Sequence, residues 1–227
     1  MPLNYSLITT LKSRLVSDSD KTRWLGRAVI CVVVALVWFG LVGIGFSYLW
    51  NYENTPGIAA VAPGRWPAES HIQPARDRAT LIMLAHPKCP CTRASIGELA
   101  AIMAHCQGRL NAYVLFMKPE GFTENWEKTD LWQSASQIPD VQVISDPSGE
   151  EARRFSAVTS GQTLLYDLKG ELLFSGGITP SRGHSGDNAG KSAIVSIINR
   201  EIPDTNVTNV FGCPLFDPNS ECRVPRK

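Results

Sequence analysis

The sequence predicts an α/β domain, a central mixed sheet flanked by helices, preceded by one transmembrane helix. Three observations predict it. An uncharged stretch, Ala28–Trp50, stands near the N-terminus. From Ala79 onward, short apolar runs alternate with helix-period segments, the order that lays parallel strands side by side with crossover helices. Two apolar runs around Asp167-Leu168-Lys169-Gly170 then read as a β-hairpin, which adds an antiparallel edge.

Composition narrows the function. The chain has 227 residues, a formal net charge of +1, 44% hydrophobic residues and 19% charged residues. That hydrophobic share excludes general disorder, and the near-neutral balance argues against a nucleic-acid binder, which would carry a basic stripe. The charge is unevenly placed. Residues 1–27 hold five Lys/Arg and two Asp/Glu, whereas residues 79–227 hold 14 basic and 16 acidic side chains.

The uncharged stretch Ala28–Trp50 is long enough, at 1.5 Å per residue, to cross a hydrocarbon core of roughly 30 Å. Lys12, Arg14, Lys21, Arg23 and Arg27 precede it. The positive-inside rule then puts residues 1–27 in the cytoplasm and everything after residue 50 outside, on the periplasmic side of an inner membrane. Ala60-Val61-Ala62 has the form of a signal-cleavage site but lies well beyond an apolar run that is itself too long for a signal peptide, so an uncleaved single-pass anchor in the lipid bilayer is expected. Residues 51–78, with Pro56, Pro63, Pro67 and Pro74, read as a Pro/Gly-rich linker and extended tether. The folded domain is placed at residues 79–202, with a Cys- and Pro-containing tail at 203–227.

Within the domain each element has its own signal. Thr80–Ala85 is an apolar run suited to a strand buried on both faces. A helix is expected over about 92–105, because Leu99, Ile102, Met103 and Cys106 recur at helical spacing. Ala112–Met117 and Val141–Ser145 read as strands, with helices at about 124–136 and 148–156 after them. Thr163–Tyr166 and Glu171–Ser175 form the hairpin, and a last helix at about 188–200 is capped by Asp187 or Asn188.

The chemistry gathers at His86-Pro87-Lys88-Cys89-Pro90-Cys91, where the first strand ends and a helix begins. Unpaired amides and the helix dipole at such a point favour anionic sulfur, and thiolate is the nucleophile of disulfide exchange. Cys89, taken as the more exposed end of the loop, is the expected attacker, with Cys91 resolving the mixed disulfide; the roles reverse if Cys91 is the sulfur nearer the helix amides. Pro90 and Pro87 stiffen the loop. His86 is either a satisfied turn residue or a proton donor. In the glycine-rich segment that follows the hairpin, Arg182 is a candidate to stabilise thiolate and His184 to move protons. Gly190-Lys191-Ser192 ends that segment but misses the phosphate-loop spacing, because Ser185 stands where the first glycine belongs. Cys31 reads as a small hydrophobe in the membrane segment and Cys106 as core. Cys213 either pairs with Cys222 or folds back as a third redox sulfur, and spacing alone leaves both open. Two soft sulfurs with His86 or His184 also form an alternative Cu(I) ligand set, and without copper no cofactor is expected.

A strand, a proline-containing cysteine pair, a helix and a later β-hairpin together resemble the thioredoxin superfamily. The span Val141–Asp146, Gly149–Val158, Thr163–Gly170 and Gly176 is similar to the second half of membrane-tethered TlpA-like and peroxiredoxin-like proteins. His86-Pro87-Lys88-Cys89-Pro90-Cys91, Gly176-Gly177-Ile178-Thr179, Arg182-Gly183-His184 and Phe211-Gly212-Cys213-Pro214 look like RedB-type thioredoxin-like proteins. The resemblance covers about residues 79–215. It implies a thioredoxin-like fold and thiol–disulfide oxidoreductase activity toward a protein thiol or disulfide. Three departures stand out. One residue, not two, separates the motif sulfurs, and such a tight ring is strained, which favours oxidant or isomerase chemistry. Gly161 takes the place of the family's cis-proline. Leu84 and Lys88 stand where a peroxiredoxin has proline and threonine before its cysteine.

Overall fold

In the computed structural model, residues 5–58 and 60–216 are described, with side chains from residue 23 onward. Cys222 lies outside the described residues. The chain divides into two units, Met1–Asn51 and Tyr52–Lys227.

The first unit is helical. Helix α1 runs Tyr5–Asn54, longer at both ends than the apolar stretch alone. Residues 5–25 contain neither proline nor glycine, so nothing in them interrupts a helix. Pro56 disfavours the helical conformation at Thr55 and stops it. Within Arg23–Asn54 the most apolar 18-residue window has a mean hydropathy of 2.8, and none of that window is buried. By length and composition the segment can cross a membrane.

The second unit is built on a five-stranded sheet in the order β3-β2-β1-β4-β5. Strand β1 (Ala79–Ala85) is central and almost wholly buried, which is why every residue from Leu81 to Ala85 is apolar. It pairs in parallel with β2 (Leu110–Lys118), which pairs in parallel with β3 (Val141–Pro147). On its other side it meets β4 (Thr163–Tyr166) antiparallel, and β5 (Leu172–Gly176) closes the hairpin. The predicted mixed sheet, with an antiparallel hairpin at one edge, is present.

Helix α2 (Pro90–His105) lays Leu99, Ile102, Met103 and Cys106 on one face of the sheet. Helices α3 (Asp130–Ser136) and α5 (Ala189–Ile198) join it there through Leu131, Ala135, Ala193 and Ile194. Asn188 caps α5, its side chain accepting from Lys191 N at 2.8 Å. The helix expected from 124 begins only at Asp130. Asn125 sits at φ 67°, a left-handed conformation that a right-handed helix cannot pass through.

Residues 51–78 depart most from expectation. They have little regular structure, as a proline-rich segment should, but they are no free tether. Helix α4 (Glu150–Arg154) covers only part of the sheet's second face, where Ile82, Leu84, Phe155 and Tyr166 lie. The segment covers more of it: Ala62 and Ile72 are buried, and the Trp66 ring packs edge-on against Phe155 and Tyr166 at 5.1 and 5.2 Å between centroids. Backbone bonds fix it at both edges of the hairpin turn, Trp66 N to Gly170 O at 2.8 Å and Leu172 N to Gly64 O at 3.0 Å. Ser70 Oγ donates to the buried Glu151 carboxylate at 2.6 Å. The tail assigned at 203–227 is corrected in the same way. Gly57 N donates to Val210 O, Ser160 N to Cys213 O and Leu215 N to Val158 O, so residues 210–215 form a strap across the loop before β4.

Candidate functional site

The site forms where β1 ends. The chain leaves the sheet at His86, turns through Pro87 and Lys88, and enters α2 with Cys89 as N-cap and Pro90 at the first helical position. Proline suits that position, because its missing N–H is one the helix could not use. A buried hydroxyl network holds the turn against the loop before β4. His86 N donates to Ser160 Oγ at 2.8 Å, Thr92 Oγ1 and Ser160 Oγ lie 2.8 Å apart, and Thr92 Oγ1 donates to His86 O at 3.2 Å. Ser160 and Thr92 were not among the residues singled out from sequence. Their signal was hydroxyls flanking the cysteine turn and the glycine before β4, where apolar residues would otherwise be expected.

Three sulfurs meet here. Cys89 Sγ and Cys213 Sγ are 3.0 Å apart, although 124 residues separate them in the chain. Cys91 interacts with both. Cys213 lies beside the motif cysteines, while its other expected reading, a pair with Cys222, falls outside the described residues. Cys89 is 2% exposed and Cys91 5%, whereas Cys213 is intermediate. The expectation that Cys89 is the exposed sulfur is therefore corrected: it is buried against Cys213 of the strap, and within Cys89-Pro90-Cys91 only Pro90 is exposed.

The strap's position is set by glycines. A Cβ on Gly212 would collide with the Ser160 carbonyl oxygen, so only glycine lets the strap lie this close. Gly161, two residues before β4, sits at φ 87°. Its N–H donates to Leu84 O at 2.7 Å, and a Cβ there would stand 2.9 Å from Ser95 Oγ on α2.

The electrostatics separate the sulfurs. Hydrogen bonds from the thiols of Cys213 and Cys91 hold the Cys89 thiol well below its ordinary range, and the backbone amides of Cys213 and Thr92 add to this. Cys213 is pushed up because it shares its proton with that thiolate. Cys91 also rises. Its bond with Cys213 lowers it, but the proton it lends Cys89, burial and the Cys89 charge outweigh that. This sets a pH signature for the reduced protein. Between the folded value of Cys89 and the ordinary thiol value of 9.0, the unfolded chain binds one more proton at Cys89, so stability rises with pH. Above 9.0 the unfolded Cys91 and Cys213 lose protons that the folded ones keep, and stability falls. Urea unfolding under reducing conditions is expected to show this maximum, with a rising limb of up to ~1.4 kcal/mol per pH unit. A variant with all three cysteines replaced by serine should lose it.

The predicted supporting residues divide. Arg182 lies beside the strap: Nη1 donates to Gly212 O at 2.6 Å, Nε to Thr55 O at 3.1 Å, and the guanidinium covers the Tyr52 ring at 5.2 Å. Its charge also favours the Cys91 thiolate. His86 is buried, its Nδ1 accepts from Lys88 N at 3.2 Å, and its ring meets Trp126 edge-on. His184 is exposed, with Nδ1 2.8 Å from Arg182 O. Among the described residues no group of three His, Cys, Asp or Glu side chains is placed to hold a metal ion, so the set Cys89, Cys91, His86 and His184 is not assembled. Cys106 is in the core and Cys31 on the surface of α1.

No family model matches the chain, and no curated protein matches it. Solved structures do. A hypothetical protein from Sinorhizobium meliloti superposes with a TM-score of 0.56 at 16% identity, over 71% of this chain and 97% of its own. An uncharacterized conserved protein from Geobacillus kaustophilus gives 0.53 at 15%, over 74% and 96%. StoA from Bacillus subtilis aligns over 53% of this chain and 89% of its own, at 14% identity and a TM-score of 0.38. The likeness at these identities is one of fold. With its sheet order, its cysteine turn entering α2 and its terminal hairpin, the chain has a thioredoxin-like fold, preceded by an apolar helix long enough to cross a membrane.

Proposed function

We propose that this protein is a membrane-anchored thiol–disulfide oxidoreductase, held by a single span with its N-terminus in the cytoplasm and its domain on the extracytoplasmic side of the inner membrane. The observation that carries the reading is the Cys89 sulfur at the N-terminus of α2, 3.0 Å from a second sulfur. A sulfur held as thiolate by helix amides and neighbouring thiols is both a competent nucleophile and a good leaving group. A partner sulfur already in contact lets a two-electron couple open and close without moving the sheet. The basic residues before the apolar helix support the orientation, and an extracytoplasmic compartment permits disulfides to persist. The substrate or redox partner is a protein thiol or disulfide.

The test uses the full chain in detergent with a dithiol or disulfide peptide as substrate. Replacing Cys89 and Cys91 together by serine is expected to lower turnover at least hundredfold, with the circular dichroism of the domain unchanged. Full turnover in that double variant overturns the reading.

A further inference from the structure

Exposure and thiolate stabilisation are assigned to different sulfurs in this site. Cys89 sits at the helix N-terminus and is 2% exposed, Cys91 is 5% exposed, and Cys213 alone of the three reaches intermediate exposure. Cys213 is also rigidly presented. Its carbonyl accepts from Ser160 N at 2.8 Å, the preceding carbonyl accepts from Arg182 at 2.6 Å, and Leu215 N is bonded to Val158 O at 2.9 Å.

We infer that Cys213 is the sulfur at which substrate thiols exchange, and that the working couple is a Cys89–Cys213 disulfide acting as an oxidant of dithiols. This rests on the oxidoreductase reading above and names its port, its couple and its direction. The steps balance as follows. A substrate thiolate attacks Cys213 Sγ of the disulfide, forming a mixed disulfide there and breaking the Cys89–Cys213 bond. Cys89 leaves as the thiolate, at the amides that stabilise it. The substrate's second thiolate then attacks its own sulfur in the mixed disulfide and expels Cys213, which takes up a proton. The substrate dithiol has lost two electrons and become a disulfide, and the protein pair has gained them. An external disulfide reoxidises the pair by the reverse exchange.

The geometry favours this order of events over attack at Cys89. Nucleophilic attack needs access to the sulfur attacked, whereas the departing sulfur needs only stabilisation, and a leaving thiolate departs faster the lower its pKa. A Cys89–Cys91 bond would instead close the short ring across Pro90, between two buried residues. Such a bond offers an incoming thiol no exposed sulfur.

The experiment is performed on the full chain in detergent, oxidised with oxidised glutathione, then exposed briefly to reduced glutathione and quenched in acid. Cys89 and Cys91 share one tryptic peptide and Cys213 shares another with Cys222, so bonds are placed by fragmenting the peptides. The expected result is a Cys89–Cys213 bond after oxidation. After the pulse, glutathione is expected on Cys213 at least tenfold above Cys89 and Cys91 combined. In the Cys89→Ser chain the Cys213 adduct is expected to accumulate, because the internal thiolate that would expel it is gone. Glutathione on Cys89 or Cys91, absence of an adduct on Cys213, or a Cys89–Cys91 bond as the product of oxidation overturns the assignment. Recovery of all three residues as thiols after the oxidation step overturns the oxidoreductase reading itself, and this inference with it.

Discussion

Replacing Trp66 by alanine is expected to destabilise the domain by about 3 kcal/mol, a large fraction of a typical domain's stability. The residue belongs to a segment whose sequence reads as linker, yet its ring packs between Phe155 and Tyr166, and its Nε1–H donates to Ile72 O at 3.1 Å. Removing the indole opens a cavity over two of the largest fully buried side chains of the domain. It also loosens Ser70, whose hydroxyl donates to the buried Glu151 carboxylate, and His71, whose N–H does the same at 3.0 Å. Thermal unfolding should show a drop of about 6–12 °C. Trp66→Phe keeps most of the ring contact and loses only the indole hydrogen bond, so it should cost about 1 kcal/mol. Arg65→Ala tests the alternative that any change in the segment is felt. Its ion pair with Glu171 is 3.4 Å long and solvent-exposed, and its loss should cost less than about 0.5 kcal/mol. Equal stability of Trp66→Ala and the unchanged chain would show that the segment is a tether after all.

The same segment shows where the sequence stopped being legible. The central strand, the helix after the cysteines, the hairpin and the Asn188 cap all announce themselves through local patterns, because each buries one face with a fixed period or satisfies amides a few residues away. Residues 51–78 bury single side chains, Ala62, Trp66 and Ile72, from a backbone with no period, and isolated anchors leave no pattern to count. The site divides along the same line. Cys89-Pro90-Cys91 is visible because strand, turn and helix are contiguous. The arrival of Cys213 depends on the closure of a chain of 124 residues and on the fit of one glycine against one carbonyl, neither of which is periodic. Burial of Cys89 was missed for the same reason. The loop alone would expose it, and the strap that covers it comes from the far end of the domain.

That single fit carries the largest expected effect on the site. In Gly212→Ala the new Cβ meets the Ser160 carbonyl oxygen, which is backbone and held by its neighbours, so the strap and not the loop must give way. Overpacking of this kind costs about 1–3 kcal/mol, and the bonds Ser160 N to Cys213 O, Leu215 N to Val158 O and Arg182 Nη1 to Gly212 O are all strained with it. The displacement separates the sulfurs of Cys89 and Cys213, whose contact at 3.0 Å depends on the strap's depth. Formation of the bond between them on oxidation should slow at least tenfold, while the sheet, which the strap does not complete, keeps its circular dichroism. Gly64→Ala, at a glycine with open space around it, is the matched control and should leave both readouts in place. If Gly212→Ala oxidises as fast as the parent, the strap is not what brings the third sulfur to the helix.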